Sequence, residues 1–304
     1  MTLEGVLPVL KPVDYTSHDV VAKVRRMIGI KRIGHTGTLD PKVTGVLPLC
    51  IGRATRVVEY IQDLPKEYEA TLILGKATDT EDMSGRLIEE MEAVQVTAEQ
   101  VRTAVESFVG SIEQVPPMYS AVKVDGRRLY ELARLGQEVE RKKRRVTIYE
   151  IELLAMNLER RHPEIRFRVQ CSKGTYIRTL CTDVGKALGY PAVMSELVRS
   201  ATGAITLDRC LTLPEIERLQ QEGKLAERLI PTDEAIPHLP ALRVAETEAI
   251  KALQGRRVRA ADSVPEEWDG RMCKVYSAKS PAPFLGIFRW DAERSLLVPE
   301  KVFN

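Results

Sequence analysis

Two hydrophobic periods share this chain without falling into a strict strand–helix–strand rhythm, and that restricts it to an α+β fold. Thr16-Ser17-His18-Asp19 is a capping-box pattern, followed by Val20, Val21, Val24, Met27 and Ile28 on one helical face. Thr97-Ala98-Glu99-Gln100 repeats the box, with Val101, Ala104, Val105 and Phe108 at helical spacing and Gly110 as the stop. A third helix starts at Thr212, with Pro214 in its first turn and Glu215 at the box position. Strands lie between them. In YEATLILG, Tyr68, Ala70, Leu72 and Leu74 share a face, and in IRFRVQC the residues Ile165, Phe167, Val169 and Cys171 alternate with Arg166, Arg168 and Gln170.

Length and proline placement divide the chain. A span of 304 residues with 44% hydrophobic content predicts about two packed domains. The segment 222–240 gathers Pro231, Pro237 and Pro240, as an interdomain linker does, which predicts domains over 1–232 and 233–304. Beyond it, ETEAIKALQ reads as a short helix closed by Gly255, and RRVRA, CKVYS, FLGIFRW and LLVPEKVF read as short strands of a small β-barrel or sandwich. The five cysteines are scattered, odd in number and never spaced C-x-x-C, so neither a disulfide framework nor a zinc site is expected. Reduced thiols and a cytoplasmic location are the expectation. Neither a basic leader followed by a long apolar core nor 18 consecutive apolar residues occurs, so no export and no membrane span are expected.

The chemistry-bearing stretch is GHTGTLDPKVTGVLPLCIGR, residues 34–53. Gly34, Gly37 and Gly45 allow tight turns or close approach, and Pro41 biases Asp40 toward an extended presentation, so one carboxylate stands on a stiff loop. Gly-Thr-x-Asp-Pro is also ordinary turn chemistry. A second cluster, Ser172-Lys173-Gly174-Thr175-Tyr176-Ile177-Arg178, joins the IRFRVQC strand to a helical segment and sets Tyr176 and Arg178 at a corner. Were Arg178 brought within about 4–6 Å of Asp40, it would lower the acid's pKa and keep it ionised. Net charge is only +2 overall. Within 123–145, however, nine Lys and Arg face four Asp and Glu, a local charge of +5, with Tyr119 and Tyr130 interleaved nearby. That pattern suits RNA backbones and bases, although RKKRR could equally be a solvated run before the VTIYEIELLAM strand.

Taken together, LKPVDYTSHDVV, GHTGTLDPKVTGVLPLCIGRATR, KEYEA, DTEDMSG, PPMYSAVKVDGRRLYELAR, CSKGTYIRTLCTDVG and ELVRSATG resemble the TruB family of bacterial tRNA pseudouridine synthases, in that family's order, over residues 10 to about 203. The tail from about 239 resembles, more loosely, a PUA domain. Val43 stands where the family often has alanine, and Arg56 where lysine is common. The resemblance implies a mixed or antiparallel central sheet flanked by helices and loops, and conversion of the T-loop uridine at tRNA position 55 to pseudouridine. It implies no cofactor and no metal.

By the same resemblance Asp40 is the nucleophile, paired with Arg178. Tyr68 stacks on the flipped uracil and is placed to take the C5 proton, while Tyr176 and Leu197 wall the pocket. Plain core packing would account equally well for Tyr68 and Leu197. His35 contacts RNA and holds the flipped state open, and Lys11 supports the loop or a phosphate. The expected partner is the tRNA T stem-loop, with no membrane, no obligate protein partner, and a monomer as the default. A non-catalytic RNA-binding protein is the competing class, and a phosphate-binding enzyme is weakly supported because no G-K-[ST] follows the glycines.

Overall fold

The computed structural model describes residues 3–304. From the first strand, β1 (Gly5–Lys11), the chain enters α1 (Ser17–Ile28), then β2 (Ile33–His35) and β3 (Thr44–Ile51). Helix α2 (Val58–Asp63) leads into β4 (Lys66–Leu74), and β5 (Lys76–Thr78) pairs with β6 (Leu87–Glu90) as a hairpin. Helix α3 (Ala98–Glu106) precedes β7 (Gly110–Gln114) and a small hairpin, β8 (Lys123–Val124) with β9 (Arg127–Arg128), that runs into α4 (Leu129–Arg134). Strands β10 (Arg144–Asn157) and β11 (Glu164–Cys171) come next, then α5 (Ile177–Leu188), β12 (Ala192–Thr202), β13 (Ile205–Thr206) and α6 (Leu213–Gln221). The last portion holds β14 (Ala241–Val244), α7 (Glu246–Leu253), β15 (Met272–Ser277), β16 (Phe284–Asp291) and β17 (Leu296–Val302).

Nine strands form one mixed sheet in the order β1-β3-β12-β4-β11-β10-β7, with β2 added to β3 and β13 to β12. Strand β12 is the pivot. It runs antiparallel to β4 and parallel to β3, setting Arg199 opposite both Tyr68 and Gly45. The alternation expected in β4 and β11 holds, with Ala70, Leu72 and Leu74 buried on one strand and Ile165, Phe167, Val169 and Cys171 on the other. These pack against Leu180 and Val184 of α5 and Val101 and Val105 of α3. Full burial of an aliphatic side chain is worth roughly 1.5–3 kcal/mol, so this layer holds the sheet to its helices.

The boxes at Thr16, Thr97 and Thr212 all cap helices reciprocally. The second helix stops earlier than expected, however. It ends at Glu106, and Gly110, at φ 105°, opens β7 instead. The Asp-Gly pair at 125–126, both residues at positive φ, makes the turn between β8 and β9 that helical spacing did not reveal.

The tail differs from a closed barrel: its four strands form an open sheet in the order β14-β15-β16-β17. RRVRA forms no strand, and contributes only a single bridge from Val258 to Leu297. The proline-bearing stretch 222–240 is not a loose tether. Ile230 bridges to Val6, and Ile236, wholly buried, joins Ile287 and Phe303 of the tail with Val6, Val46 and Ala54 in one apolar cluster.

Candidate active site

The loop between β2 and β3 carries Asp40, and its rigidity comes from several anchors. Leu39 and Val43 are buried, the Leu39 amide donates to Ser17 Oγ at 3.0 Å, and the Val43 amide closes a turn on the Asp40 carbonyl at 3.0 Å. The Pro41 carbonyl accepts from the Asp14 amide at 2.9 Å and from Lys11 Nζ at 3.1 Å. Lys11 also donates to the Pro12 and Tyr15 carbonyls and is 0% exposed. It supports the loop and has no surface to offer a phosphate, which corrects the second half of the expectation for it. Burial pushes its ammonium down to about 8, and the nearby Asp40 opposes this.

Arg178 comes from the first turn of α5, whose N-cap residue is Tyr176. Gln114 fixes that corner, accepting from the Tyr176 amide at 3.0 Å and donating to its carbonyl at 3.2 Å. The buried guanidinium lies with Nε 3.0 Å from Asp40 Oδ2 and 4.0 Å from Asp82 Oδ2. Its terminal nitrogens donate to the Thr80 carbonyl at 2.9 Å and the Tyr119 carbonyl at 2.8 Å. One arginine thus gathers the Asp40 loop, the DTEDMSG turn and the PPMYS segment.

The expected lowering of the Asp40 pKa does not result. Its carboxyl lies above the ordinary value because burial outweighs the opposing Arg178, and Asp82 pushes the same way as burial. The side chain keeps 41% of its surface accessible, and it lines the cleft.

The cleft has a volume of about 520 Å³ and is lined by Asp40, Tyr68, Tyr176, Arg178 and Leu197 together. Its other walls include Thr38, Ser120, Lys66 and Arg199, and Arg144 and Arg145 of the basic run reach it as well. Within the same run Arg141 is engaged with the Pro116 carbonyl and Lys143 with Glu113. His35 stands apart. It is outside the cleft lining, with Nδ1 3.1 Å from the Gly37 carbonyl oxygen and its ring edge-on to His18 at 5.3 Å between centroids. Burial lowers its pKa.

Sequence reasoning passed over Asp82, Gln114 and Arg199 as site residues. The first lies in DTEDMSG and the last in ELVRSATG, but only the tertiary structure brings Asp82 to Arg178 and Arg199 to Tyr68. Burial raises the Tyr68 pKa, and Arg199 is the main opposing influence. No group of three His, Cys, Asp or Glu side chains among the described residues is arranged to hold a metal ion, and no described helix is long and apolar enough to cross a membrane.

The family models that match the chain give the class of this fold and cleft: a pseudouridine synthase. Over 99% of its length the chain matches a chain in the crystal structure of a Cbf5–Nop10–Gar1 complex, at TM-score 0.78 and 27% identity, covering 85% of that chain. A chain in the structure of an H/ACA RNP bound to a substrate RNA containing 2′-deoxyuridine matches at TM-score 0.75 and 25% identity, covering 99% and 86% of the two chains. Within that class the chain belongs to the TruB family. The model of the TruB family pseudouridylate synthase N-terminal domain matches residues 25–177, and that of the tRNA pseudouridylate synthase B C-terminal domain matches 178–237. It is similar to the tRNA pseudouridine synthase B of Bacillus licheniformis, at 51% identity over 83% of this chain and 82% of that one. The counterpart from Geobacillus thermodenitrificans is 46% identical over 99% of this chain and 100% of its own.

Proposed function

We propose that this chain isomerises the T-loop uridine at tRNA position 55, and that Asp40 begins the reaction. One observation carries the reading: Asp40 Oδ2, 3.0 Å from Arg178 Nε, faces the cleft between Tyr68, Tyr176 and Leu197. A binding module gains nothing from a carboxylate facing an RNA polyanion. An enzyme that must open a glycosidic bond does, because the carboxylate either adds to C1′ or removes the 2′ proton to give a glycal.

On both routes the C1′–N1 bond breaks and its electron pair leaves with the uracil. The base then turns, C5 bonds to C1′, the C5 proton is lost and N1 is protonated, with no net oxidation. Flipping the base into the cleft costs a few kcal/mol, offset by stacking on Tyr68 and apolar contact with Leu197. Tyr68 is the candidate acceptor of the C5 proton. Arg144 and Arg145 hold the RNA backbone at the rim, and His35 takes part from outside the cleft by meeting the RNA beside it. Residues 1–232 form the catalytic unit and 233–304 an RNA-binding extension. The protein works on the T stem-loop without an obligate protein partner.

The test is release of tritium from a T stem-loop carrying C5-tritiated uridine, with wild type and Asp40→Asn side by side. Wild type should release the label, and Asp40→Asn should release none while binding the RNA within about tenfold of wild type. Turnover by Asp40→Asn would overturn the reading.

A further inference from the structure

Of the four arginines that line the cleft, two are nearly sealed from solvent, and their charges are treated in opposite ways. Arg178 faces Asp40 and Asp82. Arg199, 2% exposed, pairs with no carboxylate among the described residues. A guanidinium has five N–H donors. Its Nε donates to the Val46 carbonyl at 2.7 Å, a side-chain hydrogen bond couples it to Tyr68, and Nη2 is buried with no partner. A buried cation with no carboxylate beside it is strongly destabilising, so a negative group that approaches only during the reaction is the natural counterpart.

The position of Arg199 narrows that counterpart. It faces Tyr68 across the β12–β4 ladder and shares a face of β12 with Leu197, two residues away. Both neighbours belong to the walls assigned to the flipped base. Beside Nη1 lies Gly37, where an added Cβ would stand in ordinary contact at 3.5 Å, so the Asp40 loop passes close to the guanidinium. Backbone phosphates have other cations at the rim, in Arg144 and Arg145.

We propose that Arg199 is the counter-charge for the uracil anion formed when the C1′–N1 bond breaks. This rests on the isomerase reading above, and it holds for both routes to cleavage, since in each the electron pair of that bond leaves on the base. The charge spreads over N1, O2 and O4, and a preorganised, buried guanidinium stabilises it more than it stabilises the neutral uridine. As the base rejoins through C5 the anion disappears, and the guanidinium is again unpaired.

Two measurements test it. In single turnover at saturating T stem-loop, Arg199→Gln should slow tritium release by roughly 10²–10³-fold, with Arg199→Lys intermediate, while RNA affinity stays within about threefold. Weakened affinity, a salt slope reduced by about one and an unchanged saturating rate would make Arg199 a phosphate contact and overturn the proposal. Because a core substitution can prevent folding, the second measurement leaves Arg199 intact. A stem-loop with 5-fluorouridine at the target position is bound to the Asp40→Asn protein, and the fluorine resonance is followed against pH. Ionisation of the bound base should fall at least one pH unit below that of the free stem-loop, and an unchanged or raised value would overturn the proposal. Failure of the wild type to release tritium would instead remove the isomerase reading itself, whereas normal release by Arg199→Gln would remove only this inference.

Discussion

Gly45 lies directly against the backbone of Arg199: a Cβ built on it would stand 2.2 Å from the Arg199 carbonyl oxygen. Strand β3 meets β12 here in parallel, and Gly45 takes a φ of 121° that side chains rarely adopt. The loop bearing Asp40 thus reaches the strand bearing Arg199 and Leu197 only because this position lacks a side chain. Gly45→Ala is expected to cost roughly 2–4 kcal/mol through overpacking and strain, read as a lowered denaturant midpoint. Wild-type stability in Gly45→Ala would show that the strands separate at no cost.

The acid limb of the pH–rate profile should report Asp40. Because burial raises its pKa, the reactive carboxylate is present above that raised value and lost as pH falls through it. The limb in single turnover is expected above the ordinary carboxylate value of about 4. Arg178→Gln removes the main opposing charge, so the limb should move to still higher pH and the plateau should fall. A wild-type limb at or below the ordinary value would contradict the assignment.

Within the basic run, position separates the residues. Arg144 and Arg145 reach the cleft, whereas Lys143 is engaged with Glu113. Replacing Arg144 and Arg145 by Ala should weaken tRNA binding and reduce the slope of log affinity against log salt by about 1.5–2. Replacing Lys142 and Lys143 should change both less. Equal effects from the two pairs would show that only the total charge counts.

Removal of the tail acts first on stability. The prolines of 222–240 predict an interdomain linker, and so a tail tethered loosely to the rest. In the structure Ile236, Ile287 and Phe303 complete an apolar cluster with Val6, Val46 and Ala54, and Arg56 lies 5.8 Å over the Phe303 ring. Losing three such side chains forfeits roughly 5 kcal/mol of burial. The truncated chain should therefore melt roughly 10 °C or more below the full chain by circular dichroism. An unchanged melting temperature would restore the tethered picture.

Local patterns carried much of this protein. Capping boxes at Thr16, Thr97 and Thr212, the alternation in β4 and β11, and the isolated acid before Pro41 are each set by neighbours a few residues away, and each was legible in the sequence. The Asp40–Arg178 pairing was anticipated, but its electrostatic outcome was not, because desolvation depends on everything packed around the carboxylate. Asp82, Gln114 and Arg199 gain their places only when β12 threads between β3 and β4 and α5 docks on the DTEDMSG turn. Sequence fixes which side chains are available and which stretches turn or coil. Whether a buried charge meets a partner, as Arg178 does, or waits for one, as Arg199 does, is decided by contacts between residues far apart in the chain.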